Sequence, residues 1–140
     1  MPCLEITLPE IDRGTKEQLV CRLTEAFTNA TSFPAAIFGM RFHEYTPGEA
    51  GTGGKLCDGG EERPYIHFLF YGPRLNRKTK QQLVRALGRA YTDVIGKPDW
   101  QPVIHLCEFP YDNVGVNGEL LSDTYDECAS AKFYFDLSDK

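Results

Sequence analysis

The chain has 140 residues, a formal net charge of −5 and a pI near 5.2. That length fits one domain, residues 1–140, and the acidity argues against a general nucleic-acid-binding surface. No apolar run approaches a membrane span, and Glu5, Glu10, Asp12 and Arg13 interrupt any signal-peptide-like region.

The first segment, Met1 to Pro9, reads as a β-strand: Leu4, Ile6 and Leu8 alternate with Glu5 and Thr7. Pro2 suits a strand start, where its missing N–H costs no ladder bond. It also follows the initiator methionine. If Met1 is removed, Pro2 becomes a free secondary amine, and an apolar pocket would favour that amine's neutral, basic form. Pro2 is thus either a plain strand start or a general base.

A repeat at an offset of 64 residues follows: Thr15–Val20 (TKEQLV) recurs as Thr79–Val84 (TKQQLV). The offset also pairs Pro9 with Pro73, Arg13 with Arg77, Leu23 with Leu87 and Glu44 with Glu108. Each copy, about 2–46 and 66–110, reads as strand, helix, strand. Thr15-x-x-Gln18 and Thr79-x-x-Gln82 read as capping boxes. Apolar residues from Leu19 to Ala30 and from Leu83 to Ile95 have helical spacing. Strands are expected at about 37–45, 65–71 and 103–109. The fold class expected is α/β (α+β): two strand–helix–strand units with right-handed crossovers, in a four-stranded sheet with both helices on one face. The other face is expected to be apolar and covered by further subunits.

Between the copies, 46–63 is glycine-rich and reads either as disordered or as closing a pocket. The tail, 119–140, lies outside this repeat; Phe133–Leu137 could form a short strand, and its aromatic residues are expected to pack on the body or a neighbour. Five cysteines without CxxC spacing suggest reduced thiols and a cytoplasmic location. His43, His67 and His105 are too far apart in sequence to suggest a metal site, and no cofactor is implied.

A Met-Pro start opening a duplicated strand–helix–strand unit resembles the tautomerase superfamily. Within it the chain is most similar to the cis-3-chloroacrylic acid dehalogenase group. The likeness runs from Pro2 to about Gly118 and includes Leu23–Ala26 (LTEA), the glycine-rich interval and Glu108-Phe109-Pro110. Asn113–Asn117 (NVGVN) is also similar to the carboxy-terminal region of macrophage migration inhibitory factor. The resemblance implies a homotrimer in which Pro2 is the catalytic proline, Arg74 binds a substrate carboxylate and His105 donates a hydrogen bond beside the substrate. Phe27 and Val116 stand where the dehalogenase carries a histidine and a water-activating glutamate. Neither can polarise water, so little turnover of 3-chloroacrylates is expected.

Keto–enol chemistry needs less: a base, an anchor and a group to stabilise an enolate. Pro2 can be the base, Arg74 the first anchor and Arg41 the second, because a guanidinium matches a carboxylate bidentately. Arg41 is the repeat counterpart of His105, so the two should lie on one side of the sheet. Each also has a plain reading: Arg74 as a solvated loop cation, Arg41 in an ion pair with Glu44 or another surface acid, and His105 as a packed strand histidine. Phe27 and Val116 suggest a dry binding pocket, which favours an aromatic or apolar substrate body such as an aryl 2-oxo acid. The function expected is a tautomerase-like isomerase acting on a small carbonyl or carboxylate substrate. A dehalogenase-like hydratase, and a trimeric interaction protein without catalysis, are the alternatives.

Overall fold

A computed structural model describes residues 2–124. Strand β1 is Cys3–Pro9, and its alternation is realised: Leu4, Ile6 and Leu8 are fully buried while Cys3, Glu5 and Thr7 are half-buried on the other face. Helix α1 is Arg13–Thr31 and strand β2 is Gly39–Tyr45. In the second copy, β5 is His67–Gly72, α2 is Arg77–Ile95 and β6 is Val103–Glu108. The sheet has four strands in the order β2-β1-β5-β6. Within each copy the strands are parallel, with Cys3 opposite Gly39 and His67 opposite Val103, the same stride in both. The copies meet through antiparallel β1 and β5, where Glu5 faces Leu69, its own counterpart in the repeat. An approximate two-fold axis therefore passes through that pair.

Both helices cover one face. Leu19, Leu23 and Phe27 from α1 and Leu83, Leu87 and Tyr91 from α2 join the inward strand residues in one core. The helices begin on Asp12 and Asn76, whose side chains accept the backbone N–H of Thr15 and Thr79, each at 2.8 Å. This corrects the expected caps. Thr15 and Thr79 are donors in the first turn, and the short Asx side chains three residues earlier hold the acceptor position. Both helices end on a left-handed residue, Ser32 at φ 64° and Gly96 at φ 75°. Ion pairs Lys16–Glu44 and Lys80–Glu108, also counterparts, tie each helix start to the end of its second strand.

The repeat runs further than residues 46 and 110. In the glycine-rich stretch β3 (Gly51–Thr52) and β4 (Lys55–Leu56) form a hairpin. β7 (Gly115–Val116) and β8 (Glu119–Leu120) form another with matching register. Positive φ at Gly53 and Gly54 (60° and 79°) is repeated at Asn117 and Gly118 (55° and 81°). This is the backbone of a tight primed hairpin turn. The closing bonds correspond as well: Cys57 N–H donates to the Ala50 carbonyl at 2.8 Å and Leu121 N–H to the Val114 carbonyl at 2.7 Å. A short helix α3, Leu121–Thr124, follows. The expected strand Phe133–Leu137 lies outside the described residues.

The uncovered face of the sheet corrects another expectation. It is mixed in character: Glu5, Thr7, Arg41, His43, His67, Tyr71 and His105 share it with Cys3, Leu69, Val103 and Cys107. Alternation that sends leucine, isoleucine and phenylalanine under the helices leaves these residues on the opposite side. Five of the polar residues pair: His43 Nε2 lies 3.1 Å from Glu5 Oε1, the Tyr71 hydroxyl donates to Glu5 Oε2 at 2.9 Å, and His67 Nε2 lies 2.6 Å from His105 Nδ1. Among the described residues, no helix is long and apolar enough to cross a membrane.

Candidate active site

The antiparallel meeting of the copies brings the start of β1 beside the ends of β5 and β6. A cavity of about 280 Å³ opens there, with Pro2, Phe33, Ile37, Phe109, Tyr111 and Leu121 among its walls. Pro2 is buried, and its carbonyl accepts the Gly39 N–H at 3.1 Å, which fixes it at the head of the sheet. Gly72 makes room beside it. A Cβ there would come within 2.8 Å of the Phe70 ring and 3.7 Å of Pro2 Cβ. Among the described residues lining the cavity none is charged. Such walls favour the neutral form of any ionisable group placed against them.

The other residues singled out in the sequence lie elsewhere. Phe27 is fully buried behind the cavity, not in its wall; its ring stacks on Phe38 at 4.1 Å and lies 6.2 Å from Phe33, which does line the cavity. Arg74 is exposed and follows Pro73, a lining residue. Arg41 and His105 both lie on the uncovered face, away from the cavity's walls. Arg41 stands opposite Glu5 in the strand register, while Glu44 is engaged by Lys16 and by the backbone N–H of Ile11. The glycine-rich hairpin lies at the far end of β1, where Pro9, Tyr45 and Cys57 meet, so it does not close this chain's own Pro2 cavity.

Electrostatics on the uncovered face are local. Hydrogen bonds from His43, then Tyr71, hold the Glu5 carboxyl below its ordinary range, and the same bond to Glu5 pushes the Tyr71 phenol up. Burial, then the neighbouring His105, pushes His67 down.

Sequence reasoning missed Phe33, Ile37, Phe109, Tyr111 and Leu121 as cavity walls. For Leu121 a signal existed: Gly51-x-x-Gly54-x-Leu56 and Gly115-x-x-Gly118-x-Leu120 match at the same offset of 64. That match assigns the second hairpin, and the residue closing it, to the repeat. The remaining walls come from connections and single-turn 3-10 helices, Ala35–Ile37 and Tyr111–Asn113, too short for any periodicity to reveal.

Residues 64–124 match the family model described as "Tautomerase enzyme". The segment begins where the second copy begins. No curated protein sequence matches the chain. Among solved structures, a native fused 4-OT superposes with a TM-score of 0.79 at 21% identity, covering 86% of this chain and 97% of the other. A malonate semialdehyde decarboxylase gives 0.73 at 16% identity, covering 89% and 98%. A member of the cis-3-chloroacrylic acid dehalogenase family gives 0.69 at 15%, covering 92% and 99%. At these identities the structures show a shared fold. The tautomerase match thus spans the second copy, residues 64–124, and the fold shared with these structures extends across both copies.

Proposed function

We propose that the mature chain begins at Pro2 and that its amine is the general base of a keto–enol tautomerase acting on a carbonyl or 2-oxo acid substrate. One observation carries the reading: Pro2 is buried in the wall of a cavity whose described lining residues are uncharged. A secondary amine freed there is disfavoured as a cation, so it is available to take a proton at neutral pH. Phe33, Phe109 and Leu121 suit an aryl or aliphatic substrate body. Arg74, one residue beyond the wall, is the anchor we assign to a substrate carboxylate. The structures of the malonate semialdehyde decarboxylase include a mutant in which its first-position proline is alanine, an independent case of attention to a chain-opening proline on this fold.

Enol-to-keto conversion of phenylpyruvate tests the base. Extending the mature chain by one residue before Pro2 removes the free amine and little else. It should lower the rate roughly 10²–10⁴-fold, the usual contribution of a positioned general base. Pro2→Ala keeps an amine of different basicity and should fall between. An extended protein as active as the mature one would refute the base.

We also propose a homotrimer, with the uncovered sheet face turned toward the shared axis and Arg41 and His105 serving that interface. Fused 4-OT structures are described as symmetric and asymmetric trimers. Light scattering should give about three chain masses at micromolar concentration; a monomer there contradicts the assembly.

A further inference from the structure

The duplication builds the Pro2 cavity twice. At the opposite end of the sheet a second cavity of about 550 Å³ is walled by the counterparts of the first: Pro9 for Pro73, Tyr45 for Phe109, Cys57 for Leu121 and Lys97 for Phe33. Ile66 occupies the backbone place of Pro2, its carbonyl accepting the Val103 N–H at 3.2 Å. Its nitrogen is locked in a peptide bond, so proline-type base chemistry is impossible there. The walls differ in character too. Where the described walls of the first cavity are uncharged, the second has Glu10, Glu61 and Lys97 together with Trp100.

The second cavity already holds a cation. The Lys97 ammonium sits 3.7 Å from the centre of the Trp100 ring. Trp100 is itself fixed, its indole N–H donating to the Glu62 carbonyl at 2.8 Å. Glu61 is fixed by the backbone N–H groups of Asp58 and Gly59. Tyr45 is held by its hydroxyl donating to the Tyr65 carbonyl at 2.8 Å. A rigid aromatic face, two carboxylates and an apolar floor of prolines are the elements that recognise an organic cation. Lys97, on a flexible stem, is a tenant that a better-fitting ligand can displace.

We propose that this second cavity is a binding site for a small organic cation with an apolar body. The ligand's cationic group replaces Lys97 over Trp100, in the cavity that Glu10 and Glu61 also line. The site is separate from Pro2 and does not depend on its chemistry.

Trp100 is the only tryptophan in the chain, so its emission reports on this cavity alone. The whole protein is titrated with phenethylamine, with its neutral isostere 2-phenylethanol, and with the anion hydrocinnamate. Phenethylamine should give a saturable change, and the alcohol and the anion should bind several-fold more weakly or not at all. Lys97→Ala removes the internal competitor and should tighten amine binding, by roughly 2- to 30-fold if the displaced contact has the usual cation–π strength. Glu61→Gln, which keeps the acceptor for the loop N–H groups, should weaken it several-fold. Both variants are checked for an unchanged melting temperature, and Lys97→Met serves if the alanine variant is unstable. The proposal is overturned by equal binding of the three probes, by weaker amine binding in the Lys97 variant, or by no saturable response to the amine up to about 20 mM.

Discussion

The two ends of the sheet are built from the same parts and differ in what the chain does there. At one end Pro2 heads the first strand; at the other Ile66 takes the corresponding place. The supporting bonds are the same, with the Pro2 and Ile66 carbonyls accepting from Gly39 and Val103 at 3.1 and 3.2 Å. The hairpins that close the two ends also share their register. Duplication thus reproduces a scaffold without reproducing the residues that line it. The two cavities differ in chemistry: the described walls of the first are uncharged, whereas the second is lined by Glu10, Glu61 and Lys97.

The largest effect expected from this comparison comes from the paired aromatic residues of the two helices. Phe27 and its counterpart Tyr91 are 0% and 1% exposed. Phe27→Ala and Tyr91→Ala should each destabilise the fold by about 3–5 kcal/mol in urea unfolding. Their effects on catalysis should differ. Phe27 supports Phe33 and Phe38 behind the Pro2 cavity, whereas Tyr91 packs edge-on against Phe68 at 5.3 Å. Under conditions where both variants are folded, tautomerase turnover should fall in the Phe27 variant and hold in the Tyr91 variant. Phe27→Leu gives a milder version if the alanine variant does not fold. Equal loss in both variants would mean the two ends are not separable.

A smaller effect is expected where the copies differ by a side chain. Gly72 is the counterpart of Leu8, which is fully buried. At Gly72 a Cβ would meet the Phe70 ring at 2.8 Å, so Gly72→Ala must displace that ring beside Pro2. We expect a cost of about 1–3 kcal/mol, as for other overpacked sites, and a raised KM as the cavity narrows. Full stability and an unchanged KM would show that Phe70 yields freely.

Much of this was legible in the residues. The gap-free offset of 64 gave two strand–helix–strand units, and alternation in β1 gave the buried side of the sheet. The extent of the repeat was read short, because a glycine-rich stretch looks like a loop whether or not it forms a hairpin. The turn at Gly53-Gly54 is matched by Asn117-Gly118, a pair that shares only one residue type but the same left-handed backbone. The helix caps were placed one turn late for a related reason. A threonine three residues before a glutamine fits a capping box, but Asp12 and Asn76 were nearer the start and had the shorter reach. The mixed character of the uncovered face was visible in Glu5, Arg41, His43 and His105. It was misjudged because a face that meets other subunits was assumed to be apolar, although paired polar groups can also be buried.

The smallest expected effect separates the two helix starts by their response to acid. Asp12 and Asn76 accept the same backbone bond at 2.8 Å, but only Asp12 titrates. The Thr15 backbone N–H, then its hydroxyl, holds the Asp12 carboxyl below its ordinary range. With the folded value depressed, the unfolded chain binds more protons in the window between the two values. The stability from this cap is therefore fully present above the unfolded value of about 3.9 and is lost as pH falls through the lower folded value. Asn76 contributes equally across that window. Asp12→Asn should change stability little at neutral pH and should flatten the decline measured by urea unfolding between about pH 5 and pH 2. Glu44, held low by Lys16 and then by the Ile11 N–H, keeps part of that decline in place. Asn76→Asp should steepen the decline by giving the second copy the same titrating cap. If neither substitution alters the acid limb, the charge on Asp12 is immaterial and the two helix starts are equivalent in energy as well as in geometry.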